Sequence, residues 1–236
     1  MINTISKLAN IDTNVNSKGS MQFNSSLPIT IEVLKNLGLD RYRLLLGRKE
    51  FTTKSQKKLE LGSKYWGSFG ENKNGIITIS NLVKKPTFLQ NDAKFLDIEI
   101  SEFLTQISEV PSPISTFKEW IIENLENDKT KKEDFLLFSD MLLALKDDII
   151  HLPLKHNEKT NLLQIKLGPN YMEFYCAFNS LGPLKGHISG GVFNLEVLFS
   201  KTYYYLKKSN IATFIKTVKP IEPLYNLDKL ILDLKI

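Results

Sequence analysis

Three histidines, His151, His156 and His187, and a single cysteine, Cys176, are the only imidazole and thiol groups in the chain. A zinc site needs Cys, His or carboxylate ligands at close, regular spacing. None of the three histidines has such a neighbour, so the sequence offers no metal centre. Gly182, Gly186, Gly190 and Gly191 form a glycine-rich run, but no helix-opening Gly-Lys-Ser/Thr follows to cradle a phosphate. Ser189 precedes Gly190 without the G-x-S-x-G frame of a nucleophile elbow. The carboxylate pairs Glu133-Asp134 and Asp147-Asp148 are adjacent in sequence, so on a helix they point in different directions. No catalytic, cofactor-binding or metal-ligating residue is assigned, and the expectation is a protein that is not an enzyme and carries no cofactor.

The elements that would position these groups centre on residues 171–214. Tyr171 to Phe178 alternates with both faces substantially apolar, which predicts a central strand carrying Cys176 inside it. Leu181-Gly182-Pro183-Leu184 reads as a loop entering a second strand, in which Leu184, Gly186 and Ile188 alternate with Lys185 and His187. Gly190-Gly191 suits a tight hairpin, since both accept positive φ without a Cβ clash. A third strand follows through Phe193, Leu195, Val197 and Phe199. Lys201 to Lys219 reads as a helix with Leu206, Ile211, Phe214, Ile215 and Val218 on its apolar side, and Leu227 to Ile236 as a closing strand or a short helix.

Upstream, the period changes twice. Residues 1–25 carry few large apolar groups and predict a disordered arm, with terminal fraying or an export or docking signal as alternative meanings. Residues 26–90 show short alternating strands, including Ile29, Ile31 and Val33 and later Ile77 and Ile79, punctuated by Gly38, Gly47, Gly62, Gly67 and Asn74-Gly75. Such spacing suggests a small barrel-like module. Residues 91–152 turn helical: Phe95, Leu96, Ile100, Phe103, Leu104 and Ile107 recur at three- and four-residue steps as far as Pro111. Thr116-Phe-Lys-Glu119 has the spacing of a capping box for a second helix ending near Leu125. A third apolar run, Phe135 to Ile150, covers more than one helix face and should pack on two sides, between domains or against a partner. The polar stretch LKHNEKTN after Pro153 reads as a domain boundary, with an α+β domain over residues 153–236. The fold class is α+β.

Composition narrows the setting. The chain has 236 residues, 42% of them hydrophobic, enough for ordinary globular cores. One cysteine excludes an internal disulfide and suits a reducing cytoplasm. No apolar run is long enough to span a bilayer, and the polar N-terminus lacks the apolar core of a secretory signal peptide. The net charge of +5 is uneven: residues 1–90 carry 14 basic and 6 acidic groups, residues 91–150 carry 6 and 14, and residues 151–236 carry 11 and 6. An acidic middle between basic ends implies internal complementarity, separate partner surfaces or three solvated surfaces. Arg41, Tyr42, Arg43, Arg48, Lys49, Tyr65 and Trp66 supply cations and aromatic faces of the kind that hold single-stranded nucleic acid. The same aromatics are needed for a core, so nucleic acid is the second reading and a protein partner the first.

The run LGPLKGHISGGVFNLEVLF, followed by a helix, resembles the carboxy-terminal domain of flagellar hook-length control proteins. Leu181, Gly182, Leu184, Gly186 and Ile188 match the first strand of that pattern, and Leu195, Val197 and Phe199 the second. YRLLLGRKEFTTKSQKKLELGSKYW is similar to a small β module that precedes the domain in shorter members. Together they cover roughly two thirds of the chain. Gly186 and His187 stand where longer apolar groups are common, and the long ruler segment of the larger proteins is missing. The resemblance implies a cytoplasmic protein, itself a candidate for flagellar export, that binds the cytoplasmic domain of the export-gate switch protein and alters which substrates leave. Leu181, Gly182, Pro183 and Leu184 are the expected partner-facing loop.

Overall fold

The computed structural model describes residues 6–7, 27–70, 78–90, 95–96, 105, 109–156 and 159–226. They form two units, one of Met1–Lys85, Asn179–Gly182 and Phe199–Tyr205, the other of Pro86–Phe178, Pro183–Leu198 and Leu206–Ile236. The class is α+β, with two six-stranded sheets, three helices and more strand than helix among the described residues.

In the first unit the strands are β1 (Ser6–Lys7), β2 (Ile29–Gly38), β3 (Arg41–Leu46), β4 (Lys49–Lys54), β5 (Lys64–Phe69) and β6 (Thr78–Lys84), in the order β1-β6-β5-β2-β3-β4. Every pairing is antiparallel. Period two does the sorting: Ile31 and Val33 on β2 face Leu44, Leu46, Tyr65 and Ile79 in one core, while polar partners point out. Leu39 and Asp40 take positive φ between β2 and β3, and Gly47 does so between β3 and β4. The sheet ends at β1 and β4, and among the described residues no pairing closes it into a barrel. Ser6–Lys7 pair with β6; the rest of the expected arm, together with Asn74-Gly75 and Ile77, lies outside the described residues.

The second unit holds β7 (Ile149–His156), β8 (Lys159–Leu167), β9 (Tyr171–Phe178), β10 (Gly182–Ser189), β11 (Val192–Val197) and β12 (Phe214–Thr217), in the order β12-β11-β10-β9-β8-β7. Its helices α1 (Pro113–Glu126) and α2 (Lys132–Ala144) lay Phe117, Ile121, Leu137, Phe138 and Met141 onto Ile150, Leu152, Leu154 and Ile165 of one sheet face. A third helix, α3 (Ser200–Ser209), links β11 to β12, which pair in parallel. As expected, β9 is internal, between β8 and β10.

Several boundaries differ from the sequence reading. Thr116 is not a cap: its N–H already bonds to Ser112 O at 3.0 Å, and α1 starts at Pro113, whose fixed φ and missing N–H suit a first helical position. α2 ends at Ala144, and after one 3-10 turn Asp148 at φ 56° reverses the chain into β7. Ile149 and Ile150 are therefore not a helix end but the start of β7, which pairs antiparallel with β8. Pro153 hid β7 from the sequence reading, yet β7 is an edge strand, where a missing N–H is tolerated. The expected helix to Lys219 stops at Ser209 because Asn210 takes φ 50°, and Phe214–Thr217 joins the sheet instead. Of the expected helix at 93–107, Phe95, Leu96 and Thr105 are described, and Leu96 bridges Leu154; the segment from Leu227 to Ile236 lies outside the described residues.

α2 places Leu137, Phe138 and Met141 in one core and Ala144 in a second cluster with Ile149 and Tyr225. Phe135, Leu136 and Leu143 remain 48%, 56% and 43% exposed.

Candidate protein-binding groove

Gly182 opens β10 at φ 76°, a left-handed conformation that side chains other than glycine resist. An added Cβ there would sit 2.6 Å from the ring of Phe199, which is fully buried. Pro183 and Leu184 are buried with it, and Leu181 is half-buried, its carbonyl accepting the Thr202 hydroxyl at 2.7 Å. The expected partner-facing loop thus lies at the start of β10, where Gly182, Pro183 and Leu184 are buried and Leu181 is half-buried. Gly186 serves packing as well, since a Cβ there would lie 2.1 Å from the Phe174 ring. Gly190 and Gly191, at φ 56° and 75°, make the hairpin the sequence announced.

On the opposite face of the same strands the side chains are polar, because Lys185 and His187 alternate with Leu184 and Gly186. They line a groove of about 600 Å³ together with Glu173, Asn194, Glu196 and Phe214. Register explains the assembly: Lys185 faces Glu196, His187 faces Asn194, and Phe214 faces Asn194 from the edge strand. Lys216 Nζ pairs with Glu196 Oε1 at 2.9 Å, and His187 Nδ1 lies 3.7 Å from Glu173 Oε1 with Tyr171 stacked on its ring. Phe214 is 62% exposed at the rim. An apolar anchor beside compensated charges is how a protein-binding surface is built. The Ser189 hydroxyl donates to Asn170 O at 3.2 Å, so it is not set against His187 as a nucleophile.

Other candidate residues do not converge on this groove. His151 is fully buried, and the side chain of His156 lies outside the described set. Among the described residues no group of three or more His, Cys, Asp or Glu is placed to hold a metal ion. In the first unit Tyr42, Tyr65 and Trp66 are buried, with Tyr42 Oη and Tyr65 Oη accepting the N–H groups of Leu59 and Glu60. Their rings are spent on the core, whereas Arg41, Arg43, Arg48 and Lys49 are exposed.

Sequence reasoning missed Lys85, one of two adjacent lysines in a chain with many. It is 3% exposed, donates to Thr30 Oγ1 at 2.8 Å and to Asn179 Oδ1, and sits 5.2 Å from the Trp66 ring centroid. Burial, then the nearby Lys64 charge, lowers its pKa from 10.5 to about 7. Cys176 is buried as expected, and burial pushes its thiol up to about 12. A thiol reagent such as DTNB should therefore leave native protein unlabelled and react only on denaturation. Rapid labelling under native conditions would contradict the buried strand.

Fold and groove define an α+β protein with a polar groove and an exposed edge strand. Comparison with protein families, with characterised proteins and with solved structures finds no match. Among the described residues no helix is long and apolar enough to cross a membrane.

Proposed function

We propose that the chain is a non-enzymatic, cytoplasmic protein-binding component of flagellar export that acts as hook-length control proteins do. Its partner on this reading is the cytoplasmic domain of the export-gate switch protein, and residues 153–236 correspond to the family's carboxy-terminal domain. The observation that supports it is the groove, whose Lys185, His187, Asn194 and Glu196 lie within the run that carries the resemblance. The groove presents Phe214, Lys185 and Lys216 to a partner and holds no arranged nucleophile.

The test is titration calorimetry of the full chain with that gate domain, alongside hook-length imaging of a deletion strain. Binding should weaken at least tenfold in a Phe214→Asp/Lys216→Glu double variant whose thermal unfolding is unchanged, since both side chains are exposed. No complex and normal hooks would overturn the reading.

A second reading is a helical scaffold, favoured by the exposed Phe135, Leu136 and Leu143 of α2. It expects Leu136→Asp, with the groove intact, to abolish complex formation. The single-stranded nucleic-acid alternative now lacks its aromatic platform, and it expects salt-sensitive binding of oligo(dT), which the groove reading does not.

A further inference from the structure

On the sheet face opposite α1 and α2, a polar side chain holds the last described segment of the chain. Gln164 Oε1 accepts the N–H groups of Leu224 and Tyr225 at 2.8 and 3.1 Å. Its Nε2 donates to Tyr225 O at 2.8 Å and lies 3.0 Å from His151 Nδ1. Two backbone donors at Oε1 fix which end of the amide is which, so Nε2 is the donor to the imidazole. Nδ1 must then accept, and the neutral ring carries its proton on Nε2, an atom that is buried and without a hydrogen-bond partner. The ring is enclosed by Phe88 at 4.4 Å and Tyr225 at 5.3 Å between centroids.

This network decides where a second proton can go. Only Nδ1 is open to it, and that nitrogen already receives the Gln164 amide hydrogen. Protonation would set two donors against each other and place a cation in a fully buried site. We infer that His151 and Gln164 form an acid-released clasp on the Leu224–Tyr225 segment, closed while the imidazole is neutral and opened when Nδ1 is protonated.

The surrounding charges do not rescue the protonated ring. Burial lowers the His151 pKa from 6.5 to about 3. Tyr225, pushed up to about 12 by burial and then by Asp140 and Asp147, stays neutral, and so does Tyr175, whose pKa burial also raises. Phe88 and Leu224 carry no charge. Lys166, two residues from Gln164 on β8, is a further cation on this face. Asp140 and Asp147 act on Tyr225, and burial raises the Asp140 pKa. Among the described residues no carboxylate pairs with His151. A group harder to protonate when closed favours closure above its ordinary pKa and loses that contribution as pH falls from 6.5 towards 3, by about tenfold in the closing equilibrium per pH unit.

Hydrogen exchange of the full chain, read as protection factors of the Leu224 and Tyr225 amides, tests this. Between pH 6.5 and 4.5 their protection should fall about fiftyfold while that of the Leu152 and Ile165 amides stays constant. His151→Phe should hold the clasp closed across that range, and Gln164→Leu should leave both amides unprotected at every pH. Gln164→Glu supplies an acceptor opposite Nδ1, so an NMR titration should find His151 taking its proton at higher pH than in the wild type. Equal acid sensitivity in wild type and His151→Phe, loss of protection only with global unfolding, or an unchanged His151 titration in Gln164→Glu would each overturn the clasp.

Discussion

Replacing Gly182 with alanine is expected to lower the free energy of unfolding by about 3 kcal/mol, from roughly 1–2 for forcing a side chain into left-handed backbone and roughly 1–3 for overpacking. The two costs coincide because Gly182 sits at φ 76° and its missing Cβ leaves the space that the Phe199 ring fills. Phe199 is fully buried, so its ring has no solvent-side position to retreat to. Gly190→Ala provides the control. Its φ of 56° is similar, but nothing lies within 4 Å of an added Cβ, so only the backbone cost of about 1 kcal/mol should appear. Urea denaturation of the two variants at constant m-value measures the difference. Equal losses would mean that the Phe199 contact carries no energy.

Lys85 gives the second large effect. Its pKa falls from 10.5 to about 7, so between these values the unfolded chain holds a proton that the folded chain does not. Stability is then fully present above pH 10.5 and declines as pH falls to about 7, by about 5 kcal/mol over the window. Below pH 7 both states are protonated, and the loss persists without growing. Methionine fills a similar volume without a charge, so Lys85→Met should flatten the stability profile between pH 7 and 10.5. At pH 7 it should be at least as stable as the wild type, even with the hydrogen bonds to Thr30 and Asn179 removed. Thermal unfolding across that pH range is the measurement. A variant with the wild-type slope would show that Lys85 is not the group responsible.

These effects bear on function differently. Gly182 was expected at a partner surface, yet it supports the strand whose outward residues line the groove. Its substitution should weaken partner binding only as far as it unfolds the protein. Phe214 and Lys216 stand on the groove itself and can be changed without cost to the core. Comparing the two classes of variant separates a folding defect from a lost contact.

Part of this fold follows from local rules along the chain. Alternation placed Ile31, Val33 and Ile79 in one core, two glycines with positive φ made the Gly190-Gly191 hairpin, and the two apolar faces of Tyr171–Phe178 made β9 an inner strand. Each depends on residues adjacent in the chain, so composition and period suffice. Tertiary structure decided the rest. Pro153 argues against a strand until β7 is known to lie at an edge, and Phe214 fits a helix face until Asn210 turns the chain and β11 offers an open side. Lys85 and Gln164 look like ordinary surface residues until distant segments bury them: Thr30, Trp66 and Asn179 close over one, His151 and Tyr225 over the other. Burial and hydrogen-bond partners brought from far along the chain are properties of the fold. The groove arose in the same way, from cross-strand register among β9 to β12 rather than from any motif in the sequence.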